Sequence, residues 1–285
     1  MTVAVLFPGQ GSQEPGMREE VERVRPDLLA AAIEACGGDP FARLEEGTRW
    51  AQPAIFCASL AGWERLKDET EPALMAGHSL GEISALVAAG ALSEGDGLGL
   101  VTARGRLMQE AGEAAGDGGM LAVLGEGRAA VEDIARRLEL TLANDNGPTQ
   151  VVLSGPSGAL DSAVAELKAH GLRTRRLSVG GAFHSPAMEP AVPAFRELLR
   201  GMEIRNARVP VLSCVTAQPF DDVRRRLAEA LTHPVRWLDV MRFLATGGVR
   251  RCIEVGPGRV LSGLVRRSLD GVEALPRTAM EPAGA

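Results

Sequence analysis

The sequence predicts an α/β fold: a parallel sheet covered by helices on both faces, interrupted by a smaller β-α-β-β-α-β unit. Three observations predict it. Short apolar runs at Thr2 to Phe7, Ala73 to Ala76 and Cys252 to Val255 are separated by stretches of helical periodicity, as parallel strands joined by crossover helices require. Between residues 118 and 185 the pattern changes to closely spaced strands with two helices. The chain, 285 residues with 45% hydrophobic content, is long enough to bury a large core as one big domain or two unequal ones.

The elements follow in order. Thr2 to Phe7 reads as a buried strand ended by Pro8-Gly9. Helical patterns cover 17 to 36 and 53 to 66, then strand 73 to 76 leads into a helix starting at Glu82. Ser93, three residues before Asp96, has capping-box-like spacing and opens a helix that runs to about Ala115, where Gly116 to Gly119 break it. Met120 to Leu124, Leu140 to Asn144, Gln150 to Ser154 and Arg173 to Val179 read as strands, with helices at Ala129 to Leu138 and Leu160 to His170. This unit is ferredoxin-like in its element order, which divides the chain into a large domain of 1–117 and 186–285 and an inserted one of 118–185. A helix at 192–201, a strand at Val209 to Val215, helices at Val223 to Leu231 and Trp237 to Thr246, and a strand at Cys252 to Val255 return the chain to the large domain. The tail beyond Arg277 reads as frayed.

Composition excludes several classes of function. Net charge is -6 and no basic-plus-aromatic motif occurs, so no nucleic-acid partner is expected. No stretch approaches a membrane span, and Met1 to Phe7 is too short and lacks the basic start of a signal peptide, so a cytoplasmic location is expected. Cys36, Cys57, Cys214 and Cys252 lack metal-site spacing and read as reduced core thiols; no metal is expected. Arginine clusters at 173–176, 224–226, 250–251 and 266–267 fit solvated surface or a docking face for an acidic protein.

The strand before Gly77-His78-Ser79-Leu80-Gly81 and the helix after it make this G-x-S-x-G a nucleophile elbow. The glycines let the turn close, pushing Ser79 out at a helix N-terminus where free N–H groups stabilise a developing oxyanion. A serine nucleophile needs a base. Of four histidines, His78 diverges from Ser79 in the turn and is expected to pack or bond locally, while His170 and His233 sit at helix ends. Elimination leaves His184, in the glycine-hinged loop 180–186 at the junction of the two domains. Phe7 to Gln13 contains no G-x-G-x-x-G and fits either backbone N–H donation at the sheet edge or an ordinary glycine turn. Arg104 lies in the middle of the apolar face formed by Leu100, Val101, Leu107, Met108 and Ala111, where a guanidinium is costly unless paired. Its partner is then either a protein carboxylate or a substrate carboxylate; Arg106, off that face, is an internal control.

Together, Phe7 to Gln13, Gln52-Pro53-Ala54, Gly77 to Glu82, Arg104-Gly105, Gln150 to Gly155, Gly181 to Ser185, Pro234 to Trp237 and Glu254 to Gly258 resemble the malonyl-CoA:acyl carrier protein transacylases and the related acyltransferases of polyketide synthases. The resemblance covers nearly the whole chain. It implies an α/β-hydrolase-like large domain with a ferredoxin-like insertion, and ping-pong transfer of malonyl from malonyl-CoA through a Ser79 ester to the phosphopantetheine thiol of acyl carrier protein. It further implies His184 as base and acid, Gln10 and Leu80 N–H groups as oxyanion hole, Arg104 on the malonyl carboxylate, and no cofactor. Phe183 before the histidine goes with malonyl rather than methylmalonyl, and the histidine is oriented by a backbone carbonyl near Pro234 to Trp237. A monomer is expected. Arg236 stands where bacterial fatty-acid members carry Gln, with little effect expected because a carbonyl contact survives that change. Elsewhere Cys214 stands where many relatives have Asn and Ile83 where Tyr is familiar, and connections near 36–50 and 217–224 are short. These departures bear on substrate choice and carrier docking. Rival readings are a thioester hydrolase, a carrier-to-carrier transferase of another acyl group, and a binding-only module.

Overall fold

The computed structural model describes residues 2–276. Its main sheet is five-stranded and parallel: β1 (Val3–Phe7), β2 (Leu74–Gly77), β7 (Val211–Leu212), β8 (Arg251–Glu254) and β9 (Glu273–Pro276), in the order β7-β2-β1-β8-β9. Alternate strand residues face two separate cores. Val5, Phe7, Met75 and Ile253 pack with α1 (Met17–Val24), α2 (Pro26–Cys36), α3 (Thr48–Glu64), α4 (Gly81–Ala88) and α5 (Glu94–Ala115). Ala4, Leu6, Ala76 and Cys252 pack with α10 (Trp237–Thr246) and α11 (Val260–Ser268). Each fully buried Leu, Val or Phe in these layers contributes about 1.5–3 kcal/mol. Register aligns Phe7 with Gly77 and Leu6 with Glu254, so the loops after β1, β2 and β8 emerge at one edge. That edge is where open parallel sheets place ligands.

The second sheet is antiparallel, with order β4-β5-β3-β6, from β3 (Gly118–Leu124), β4 (Thr141–Gly147), β5 (Gln150–Pro156) and β6 (Arg173–Arg176). Strand alternation splits its faces. Leu121, Val123 and Leu153 pack under α6 (Arg128–Arg137) and α7 (Ser157–Ala169), whereas Met120, Ala122 and Val152 join the core of the parallel layer. The two layers are also stitched through Val235, which accepts from Asp145 N–H and donates to the Ala143 carbonyl, both at 2.9 Å.

Several elements differ from the sequence expectation. The single helix expected over 17–36 is two helices: Arg25 leaves helical geometry at φ -139°, because the residue before a proline is pushed out of the α region. The helix expected from residue 53 begins at Thr48 and carries Pro53 inside it. The strand expected over 209–215 is only two residues long, since the chain folds back and Phe220 donates to the Val211 carbonyl. Helix α11 and strand β9 were not anticipated. Ser93 caps α5 as its spacing predicted, accepting from Asp96 N–H at 3.0 Å. The tail beyond Arg277 lies outside the described residues.

Candidate active site

The turn at residues 77–81 closes only with glycine at both ends. A Cβ at Gly77 would stand 1.9 Å from the Gly81 carbonyl carbon, and one at Gly81 would stand 2.2 Å from the Phe7 carbonyl oxygen. The result is a Ser79 backbone in the left-handed region, φ 54°, with α4 starting two residues later. His184 also lies there, at φ 56°, in the loop before a 3-10 turn at Pro186–Ala191. These strained residues, 105 positions apart, meet: Ser79 Oγ and His184 Nε2 are 2.8 Å apart. Nδ1 of His184 is 2.8 Å from the Ala230 carbonyl, at the end of α9 (Val223–Glu229). A carbonyl only accepts, so Nδ1 carries the proton and Nε2 is left to accept from the serine. The orienting carbonyl is that of Ala230, four residues before the Pro234 to Trp237 segment near which it was expected. Burial, the Arg104 charge and His78 push His184 down to about 3, so its imidazole is neutral at neutral pH.

Arg104, 3% exposed on α5, donates from Nη1 to Gln52 Oε1 at 2.8 Å and from Nη2 to Ser79 Oγ at 3.2 Å. Gln52 is in turn held by its Nε2 donating to Thr48 Oγ1 at 2.9 Å. Among the described residues no carboxylate lies within 4.0 Å of this guanidinium. The fold therefore gives Arg104 no protein carboxylate in direct contact among these residues, and Glu82 acts on it only through space. Burial lowers Arg104 to about 10, with the Glu82 charge resisting the fall, so it remains a cation at neutral pH. Arg106 pairs with Glu110 at 3.0 Å on the surface, as expected for an arginine off the buried face. Gln52 is a site residue that sequence reasoning used only as a landmark; its proximity to Arg104 depends on α3 packing along α5, where a Cβ at Gly105 would stand 2.8 Å from the Thr48 carbonyl oxygen.

The loop after β1 presses on the elbow, since a Cβ at Gly9 would stand 2.5 Å from the His78 carbonyl oxygen. Ser12 Oγ donates to Gly9 O at 2.7 Å, and Gly11 N–H to Gln13 Oε1 at 2.6 Å, fixing the loop. The Gln10 and Leu80 N–H groups donate to no other group among the described residues. Phe183 is buried, with its ring against Gly181. His78 is less local than expected: it reaches Asn146 Oδ1 on β4 at 2.8 Å and lies 5.4 Å from the Trp237 ring. The His233 ring stays with the Glu229 carbonyl and His170 ends α7, so neither side chain hydrogen-bonds Ser79. A cavity of about 520 Å³ lined in part by Leu86, Arg205 and Phe220 contains none of these groups.

A serine on a glycine turn with a neutral imidazole in contact with it is the arrangement that acyl transfer through a serine ester requires. Residues 5–282 match the model of the acyl transferase domain. The chain belongs to that family. This acyl transferase is 42% identical over 282 residues to the polyketide biosynthesis protein ThaF of Burkholderia thailandensis, over 93% of the chain and 24% of ThaF; it spans about a quarter of that relative. It is 40% identical to the malonyl CoA-acyl carrier protein transacylase of Bacillus subtilis, covering 93% of the chain and 90% of that protein. Among solved structures, the malonyl-CoA:acyl carrier protein transacylase of Xanthomonas oryzae pv. oryzae superposes with a TM-score of 0.89 at 38% identity, over 97% of this chain and 95% of that one. A malonyl-transacylase in complex with a type II polyketide synthase acyl-carrier protein gives a TM-score of 0.87 at 34% identity, over 97% and 96%. Among the described residues no helix of the acyl transferase is long and apolar enough to cross a membrane, and no group of three or more metal-ligating side chains occurs.

Proposed function

We propose that the chain transfers malonyl from malonyl-CoA to the phosphopantetheine thiol of an acyl carrier protein by a ping-pong route through Ser79. His184 Nε2 takes the Ser79 proton as Oγ attacks the thioester carbonyl. The oxyanion is received by the Gln10 and Leu80 N–H groups. Collapse of the adduct breaks the carbon–sulfur bond, and His184 returns the proton to the departing CoA thiolate. The second thiol runs the same steps in reverse, regenerating Ser79. Arg104 clamps the malonyl carboxylate; that negative charge offsets one of the causes depressing His184 and makes it a better base once substrate is seated. Phe183 occupies the space an α-methyl group needs, a preference worth about 1–3 kcal/mol.

The observation that carries this reading is Arg104: a buried cation 3.2 Å from the nucleophile, with no carboxylate in contact with it among the described residues. A hydrolase of simple acyl chains gains nothing from it. We further infer that residues 118–185 form an inserted ferredoxin-like domain between the halves 1–117 and 186–285 of an α/β-hydrolase-like one, which the strand order β4-β5-β3-β6 supports. The enzyme is inferred to act as a monomer in the cytoplasm.

Intact-protein mass after mixing with malonyl-CoA, acetyl-CoA or methylmalonyl-CoA, followed by holo acyl carrier protein, tests the proposal. A malonyl adduct that chases onto the carrier is expected, and Ser79→Ala abolishes it. Decay of the adduct to free malonate makes the chain a hydrolase; loading of Ser79→Ala overturns the mechanism.

A further inference from the structure

A second charge is buried behind the nucleophile. Glu82, in the first turn of α4, is 1% exposed. Its Oε1 accepts the Cys214 N–H at 2.7 Å, and Cys214 Sγ donates to the Gly77 carbonyl at 3.0 Å. The carboxylate is thereby tied to the start of the elbow from beneath. Arg104 on α5 and the Cys214 thiol on the segment after β7 are the titratable groups that interact with it. Glu82 and Arg104 both meet the nucleophile residue: the Glu82 N–H donates to the Ser79 carbonyl at 3.1 Å and Arg104 Nη2 donates to Ser79 Oγ at 3.2 Å. Each buried charge therefore shifts the other, yet their charged ends hydrogen-bond elsewhere, Arg104 also to Gln52 and the Glu82 carboxylate to Cys214 and Ser213.

The charge balance of this core decides what it accepts. Arg104 supplies one positive charge, and Glu82 supplies one negative charge or none. A substrate carboxylate on Arg104 leaves the core neutral if Glu82 is protonated and singly negative if it is ionised. Two carboxylates sharing one buried cation repel, and the weaker acid takes up a proton. Resting on the transferase reading above, we propose that Glu82 is a specificity residue that competes with the substrate carboxylate for the Arg104 charge, so that carboxylate-bearing acyl groups bind with proton uptake at Glu82 and neutral acyl groups bind without it. Burial holds the Glu82 carboxyl up at about 7, within reach of ordinary working pH. Its neighbours are silent there: Arg104 titrates near 10, the Cys214 thiol is pushed well above its usual range, and His184 is depressed to about 3.

The test is half-saturation of Ser79 loading by malonyl-CoA and by acetyl-CoA from about pH 6 to about pH 8.5, in the wild-type enzyme and Glu82→Gln. Gln keeps an oxygen for the Cys214 N–H while removing the charge. Half-saturation by malonyl-CoA is expected to rise with pH by about tenfold, the factor that a one-unit coupling carries. Acetyl-CoA, which bears the same nucleotide phosphates, stays flat, and Glu82→Gln holds the low-pH malonyl value throughout. Parallel profiles for the two acyl groups, or a rise that survives in Glu82→Gln, overturn the proposal. Should Glu82→Gln fail to fold, calorimetry on Ser79→Ala in buffers of different ionisation enthalpy decides: proton uptake with malonyl-CoA and not with acetyl-CoA is expected, and equal uptake refutes it. Failure of wild-type enzyme to load from either ester sinks the transferase reading instead.

Discussion

Replacing Gly112 by Ala tests whether the position of His184 is set by the helix behind its loop. Gly112 lies on α5, and a Cβ built there stands 2.7 Å from the Gly180 carbonyl oxygen and 3.2 Å from Gly181 Cα. Both are backbone atoms, so no side chain can swing aside. Ordinary carbon-to-carbonyl contact begins near about 3.3 Å, and the loop must retreat by about 0.6 Å. His184 follows Gly181 by three residues, and its Nε2 is 2.8 Å from Ser79 Oγ. A displacement of that size along the bond carries the pair to about 3.4 Å, outside hydrogen-bond range. Misplacement near 1 Å costs about a hundredfold, so loading of Ser79 is expected to slow by about ten- to a hundredfold. Stability falls by no more than about 2 kcal/mol, since overpacking costs about 1–3 kcal/mol while replacing a helical glycine returns about 1 kcal/mol. Gly99→Ala is the control, because a Cβ there meets nothing within 4 Å. Stopped-flow loading from malonyl-CoA beside urea denaturation separates the two effects. Wild-type loading by Gly112→Ala, or equal loss in Gly99→Ala, refutes the reasoning.

The remaining predictions concern charge and capping. Arg104→Ala is expected to lose malonyl preference and gain acetyl loading without a large loss of stability, since no ion pair is broken; unchanged preference in a competition assay reassigns Arg104 to structure. His184 is neutral in the fold down to about 3 but protonates near 6.5 when unfolded, so the unfolded state binds the extra proton between these values and stability rises with pH across that window. His184→Gln should remove up to about 1.4 kcal/mol per pH unit of that slope; urea midpoints at several acidic pH values that shift by the same amount at each would contradict it. Glu254, fully buried at the end of β8, accepts the N–H groups of Leu261 at 2.9 Å and Ser262 at 2.7 Å. Glu254→Ala should cost about 2 kcal/mol, the upper range for a lost helix cap, and an unmoved denaturation midpoint would discount the cap.

What was legible in the sequence was what the backbone enforces locally. The elbow is readable because Gly77 and Gly81 are the only residues that fit where they stand, and Ser93 caps α5 through a partner three positions away. Helix α11 escaped because its first turn holds no capping residue of its own: Glu254 reaches across Gly256-Pro257-Gly258 to do that work from the preceding strand. Arg104 was legible as a misfit on an apolar face, but its partner Gln52 was not, because the two lie 52 positions apart and meet only through the α3–α5 contact. Ala230, which orients His184, left no mark in the residue pattern; only the resemblance pointed to a backbone carbonyl near Pro234 to Trp237, four residues further on. Any carbonyl serves an imidazole, and only the path of the chain selects which one arrives.

The places where local rules fail are nonetheless informative as a set. Four residues other than glycine hold positive φ among those described, and two of them are Ser79 and His184. Such backbone strain costs about 1–3 kcal/mol each and persists only where the surrounding structure over-determines it. Between these residues sits an arginine stripped of water without a counter-ion in contact, which is a further cost. Packing gains nothing from three such expenses converging within 3.2 Å of one hydroxyl. A carboxylate-bearing acyl group seated there relieves the arginine and loads the strained pair in the same step, so binding and chemistry draw on a single arrangement. That economy explains why an apolar side chain at position 104 would give a better-packed helix face and a worse enzyme.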